Sequence, residues 1–258
     1  MSRFVNLEFD GELENQFDQR EGTRDEGYYL QSAEEACQKA QFEVALRLFA
    51  RVLEFNPKNV AAWAGQVRML IELGEFREAK LWADKALERF PNAPELLAGK
   101  AVALARLGDV QAAMAFSDAS IEERGDTPYI WLARGDVLLA RAEKRANYCF
   151  DKAIALAPSD WVVPWLASRI FFFYKKVAVA LKFAQEALAR QASQAVIWFQ
   201  LGRCQQTLGL SAYAADSFAR ALELDASIPN LAAALQEVQR VGLWGKLRNA
   251  WRQLFYPA

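Results

Sequence analysis

The chain has 258 residues, with 31 Lys or Arg against 32 Asp or Glu, a formal net charge of −1, and 53% hydrophobic residues. That balance argues against phosphate-backbone binding as the main activity, so no nucleic-acid partner is expected, and the composition is far from that of disordered chains. Histidine is absent, which removes the usual general base and every imidazole metal ligand.

Residues 1–27 hold eight acids and three arginines, a local net charge of −5 that leaves +4 for the remainder. Glu8 arrives before any apolar run, so the segment lacks the apolar core of a secretory signal, and the reading is cytoplasmic. Val5, Leu7 and Phe9 alternate with Asn6, Glu8 and Asp10, the pattern of an extended segment with one apolar edge. Residues 1–25 are read as an acidic tail, flexible or laid as a strap in a groove of its own or a neighbouring molecule. The second alternative implies self-association through this tail.

From residue 26 the sequence repeats. Ala45, Ala79, Ala113, Ala146, Ala180 and Ala214 are spaced by 33 or 34 residues, as are Tyr29, Trp63, Leu97, Trp131, Trp165 and Trp198, and Pro57, Pro91, Gly125, Pro158, Ala192 and Ala226. Three ladders in one register define six units over 26–228. Ala45, Phe49 and Val52, then Ala79, Ala83 and Ala86, recur at i, i+4 and i+7, one face of a helix. Gly74, Gly108 and Gly209 fall between helical halves, where positive φ ends a helix, and Pro57, Pro91 and Pro158 stop the second helices. Pro164 requires the fifth unit's first helix to start at about Val163. The apolar run Trp161 to Tyr174 contains Pro164, Ser168 and Arg169 and is too short to span a membrane. Within it Phe171 is expected in the core, while Phe173 and Tyr174 are candidates for packing on the fourth or sixth unit.

Residues 229–241 are read as a capping helix. Beyond Gly242, at helical pitch, Leu243, Trp244, Leu247, Ala250, Trp251, Leu254 and Phe255 share one side, opposite Lys246, Arg248, Asn249, Arg252 and Gln253. Residues 242–258 thus form a basic amphipathic helix. It either packs on the last repeat or docks on an anionic membrane surface or a partner.

No glycine-rich phosphate loop and no acid cluster at metal-ligand spacing occurs. Glu34-Glu35 and Glu122-Glu123 are read as solvated helix faces. Cys37, Cys149 and Cys204, which form no Cys-x-x-Cys pair, are read as packing residues. The expectation is a non-catalytic chain without cofactor or metal.

Over roughly residues 26 to 226 the sequence resembles the tetratricopeptide repeat family. The second unit carries the resemblance in Trp63, Leu70, Gly74, Phe76, Ala79, Ala83, Ala86 and Pro91, and the sixth in Trp198, Leu201, Gly202, Gly209, Ala214, Phe218 and Ala221. Lys100 and Arg134 depart from it by replacing an apolar residue, the fourth unit is one residue short in its turn, and the fifth lacks both turn glycine and closing proline. The resemblance implies an all-α, right-handed α-solenoid of six helix-turn-helix units with C-terminal capping helices. It also implies a concave surface, lined by the first helices, that holds partner peptides.

Carried over repeat by repeat, the groove places fall on Leu30 and Glu34, Ala64 and Arg68, Ala98 and Val102, Leu132 and Asp136, Trp165, Arg169 and Phe172, and Phe199, Arg203 and Gln206. The later places gather the aromatic and arginine side chains that dominate binding hot spots, which suits an acidic peptide with an apolar anchor. The family's carboxylate clamp of Lys and Asn is absent, since its places carry Leu30, Glu34, Gly65, Ala98 and Val102. The expected function is a protein-binding adaptor or scaffold. The alternative is a peripheral attachment protein that links a partner such as a filament to membrane, similar in general plan to bacterial kinesin-light-chain-like proteins that accompany bacterial tubulins.

Overall fold

A computed structural model describes residues 25–240. The acidic segment 1–24 and the amphipathic segment 241–258, with Trp244, Lys246, Leu247, Arg248, Trp251, Arg252, Leu254 and Phe255, lie outside the described residues.

Among the described residues every regular element is helical. The described residues form two compact units that divide after Leu156. The first contains α1 (Glu26–Gln38), α2 (Phe42–Phe55), α3 (Val60–Glu72), α4 (Phe76–Arg89), α5 (Pro94–Leu107), α6 (Val110–Glu123), α7 (Pro128–Ala140) and α8 (Ala146–Leu156). The second contains α9 (Val162–Phe173), α10 (Val177–Arg190), α11 (Ala195–Thr207) and α12 (Ser211–Leu224), followed by a helical stretch, α13, over residues 231–240. Within each unit consecutive helices pack in pairs, the all-α repeat solenoid that the ladders imply.

Local chemistry sets the helix ends. Asp25, Asn59 and Asp109 cap α1, α3 and α6, each side chain accepting from a backbone N–H three residues on. Pro94 and Pro128 open α5 and α7, where a missing N–H costs nothing. Pro164 sits in the first turn of α9, as its expected start requires.

Each of the six turns between the two helices of one repeat places one residue at positive φ. Gly74, Gly108 and Gly209 do so at +82°, +93° and +77°. Ala40, Ala142 and Lys175 do the same at 54°, 57° and 59° in the units that lack the glycine.

The alanine ladder lies at the bottom of the core, no member more than 1% exposed. Four residues after Ala45, Ala146 and Ala214 comes a phenylalanine whose ring presses on a glycine of an adjacent helix, the following one for Phe49 and the preceding one for Phe150 and Phe218. A Cβ on Gly65, Gly135 or Gly202 would lie 2.5, 2.7 or 2.5 Å from Phe49, Phe150 or Phe218.

The tryptophan ladder fastens successive repeats. The indole N–H groups of Trp63, Trp131 and Trp198 donate to the carbonyls of Pro57, Gly125 and Ala192, six residues back, at 3.0, 2.7 and 2.8 Å. In the fifth repeat the carbonyl of Pro158 accepts from Arg190 Nε at 2.8 Å.

The two cations at apolar places are accommodated by partners. Lys100 Nζ lies 2.6 Å from Asp84 and over the Phe116 ring, and Arg134 pairs with Asp118 and donates to Ser117.

Phe171 is buried and stacks on Phe183, as expected. Phe173 is 39% exposed and lies edge-on to its neighbour Tyr174.

Candidate protein-binding face

In the first unit the groove places are largely filled by the protein itself. Ala64, Ala98, Val102 and Leu132 are buried. Arg68, on α3, lies over the Tyr129 ring at 4.4 Å, and burial pushes the Tyr129 hydroxyl up to about 12. Asp136, expected to face the groove, is buried instead. Arg106 of α5 clamps it, with Nη2 2.6 Å and Nε 3.2 Å from Oδ2 and side-chain exposures of 8% and 2%. An acid facing between two closely packed first helices needs a cation there, and Arg106, one helix earlier, supplies it. Asp136 is thus enclosed between α5 and α7.

The second unit is different. Trp165 is only 2% exposed, so this aromatic belongs to the core rather than to an open groove. The guanidinium of Arg169 lies 5.2 Å from its ring and is half-buried. On α11, Arg203 lies over Phe172 at 4.5 Å and near Phe199 at 5.9 Å. Both rings are half-buried, and Phe199 is backed by Phe218. Phe172, Phe199, Arg169 and Arg203 thus share one face of α9 and α11. Gln206, a turn beyond Arg203, donates to Glu237 of α13 at 3.2 Å.

The charged side chains that α9 and α11 contribute to this face are of one sign. Arg169 and Arg203 are the only charged side chains on α9 and α11. Burial, and then the charge of Arg169, hold the Arg203 guanidinium below the usual arginine range. Arg203 makes no ion pair among the described residues. The face is therefore a cationic seat on an aromatic floor, competent to take an anion.

Nothing in the geometry activates a nucleophile. Burial pushes the thiols of Cys37, Cys149 and Cys204 up to about 11, away from the thiolate, and Cys37 Sγ rests 3.3 Å from Met69 Sδ. No group of His, Cys, Asp or Glu among the described residues could hold a metal ion. None of the described helices is long and apolar enough to cross a membrane.

The fold defines an all-α helical-repeat protein. A family model described as tetratricopeptide repeat matches residues 8–156, more than half of the chain. The chain belongs to the tetratricopeptide repeat family.

No curated protein matches the sequence. Solved structures show the same fold at low identity. A tetratricopeptide repeat protein from Parabacteroides merdae is 16% identical over 85% of this chain and 86% of that one, with a TM-score of 0.54. The Thermus thermophilus repeat protein TTC0263 is 17% identical over 83% and 98%, at 0.50. A chain of the Cut9–Hcn1 hetero-tetramer is 14% identical over 83% of this chain and 43% of its own length, at 0.51.

Proposed function

We propose that the chain is a non-catalytic, cytoplasmic adaptor that holds an acidic partner segment with an apolar anchor on the α9–α11 face. The family supports a protein-interaction role. The single observation that supports this site is Arg203, half-buried over Phe172, repelled by Arg169 and without an ion pair among the described residues. A carboxylate entering between Phe172 and Phe199 relieves that repulsion while its neighbouring apolar side chain covers the rings. The test is affinity capture with the immobilised full chain, comparing wild type with an Arg203→Glu, Phe172→Ala variant of unchanged circular dichroism. A partner lost from the variant alone and released by salt is the expected result. An identical set of partners on both refutes the site.

A second reading rests on the sequence of residues 243–255, where Trp244, Leu247, Trp251, Leu254 and Phe255 oppose Lys246, Arg248 and Arg252. Such a segment suits an anionic lipid surface and would tie a partner, such as a filament, to membrane. Flotation with anionic vesicles, equal for the wild type and a Lys246→Glu, Arg248→Glu, Arg252→Glu variant, removes that reading. Self-association through the acidic residues 1–25 is checked by sedimentation of a full chain with Glu8, Asp10, Glu12 and Glu14 neutralised, which should run closer to monomer.

A further inference from the structure

The turn inside the last complete repeat gathers three large exposed apolar side chains, where the corresponding positions of the other turns expose one at most. Leu208, Leu210 and Tyr213, at the turn between α11 and α12, are 42%, 40% and 65% exposed. Single exposed leucines are ordinary, but three large apolar side chains within six residues of one turn are not. In the second and third repeats the residue after the turn glycine is Glu75 or Asp109, and the position four residues after it is Glu78 or Ala112. Asp109 uses its carboxylate to cap α6, accepting from Ala112 N at 3.2 Å. Leu210 stands at the same cap position of α12, where its side chain makes no capping bond. The sequence thus replaces a useful polar cap with exposed hydrocarbon.

The position of α13 points to what covers it. This helix buries Leu231 and Val238, and its Glu237 accepts from Gln206, two residues before Leu208. The end of α13 therefore lies beside the α11–α12 turn. From Arg240 the sequence runs through Gly242 directly into the amphipathic residues 243–255. At 1.5 Å per residue, that segment as a helix is about 20 Å long, close to the length of α12. Its charges also fit, because Asp216, exposed and three residues beyond Tyr213 on α12, offers an acid beside the patch to Lys246, Arg248 or Arg252.

We infer that residues 243–255 dock as a helix on the α11–α12 turn of their own chain, their apolar face covering Leu208, Leu210 and Tyr213. Leu243, Trp244, Leu247 and Trp251 supply the buried side, and the cationic side faces water.

Hydrogen exchange of the full chain, without lipid, tests this. Isolated helices shorter than about 12–15 residues are marginal in water, so protection of this segment requires a docking surface. Amides of 244–255 are expected to exchange at least about 10-fold more slowly than their intrinsic rates. A Leu210→Glu, Tyr213→Glu variant, altered only at exposed positions, should lose that protection while α9 and α11 keep theirs. Fast exchange in the wild type, or protection indifferent to the two substitutions, overturns the inference. Protection seen only with anionic vesicles assigns the segment to lipid, and protection that grows with protein concentration assigns it to a second copy. Either result also overturns it.

Discussion

Arg106 Nη2 and Asp136 Oδ2 lie 2.6 Å apart on adjacent first helices, with both side chains almost wholly withdrawn from water. A buried pair of this kind is weak evidence of net stabilisation, yet losing one partner strands the other charge. Asp136→Ala is expected to destabilise the protein by about 3–5 kcal/mol. An Arg106→Met, Asp136→Leu double variant should recover most of that loss in urea unfolding. A single variant as stable as wild type would show that Arg106 finds water or another acid.

The six turns offer a paired comparison. Lys175 and Ala40 pay for a left-handed backbone that glycine adopts freely, and a left-handed L-residue costs roughly 1–2 kcal/mol. Lys175→Gly is therefore expected to be neutral or stabilising by up to about 1 kcal/mol, whereas Gly108→Ala should destabilise by about 1–2 kcal/mol. Chemical denaturation midpoints at constant slope check both.

Helix approach in the last repeat has no spare room. A Cβ on Gly202 would lie 2.5 Å from the Phe218 ring, which is itself fully buried. Gly202→Ala is expected to cost about 1–3 kcal/mol, and adding Phe218→Leu should return part of it. If the first substitution is silent in thermal unfolding, the helices separate more easily than their packing implies.

Asp84 lies between Lys80 and Lys100, with Nζ to carboxylate distances of 2.7 and 2.6 Å. Burial raises its pKa, but hydrogen bonds from both lysines outweigh that and hold it below the ordinary 3.8. A carboxyl depressed in the folded state contributes stability above its unfolded pKa, and the contribution is lost as pH falls through the folded value. The stability gap between wild type and Asp84→Asn should be present at about pH 6 and shrink as pH falls below about 4. A gap that widens in acid contradicts this sign.

The repeat fold was legible because it is written in residue types that leave few alternatives: alanines where helices cross, prolines where they stop. The turns were half legible. Glycine announces positive φ at three of them, but Ala40, Ala142 and Lys175 take the same backbone because the flanking helices impose it. The candidate groove places were legible as positions on the first helices but not in depth. A helical register places Asp136 and Trp165 toward neighbouring first helices, and cannot tell a side chain that crosses an open groove from one sealed by the next helix. Arg106, which decides the fate of Asp136, carried no signal, since the pairing spans 30 residues and two helices.

The indole bonds of Trp63, Trp131 and Trp198 end on carbonyl oxygens, which Pro57, Gly125 and Ala192 supply equally well. The link between successive units thus reads the main chain and ignores the side chain standing there. Closing residues can be exchanged at these places without loosening the joint, so a binding loop or charge could be introduced between repeats while their spacing is kept.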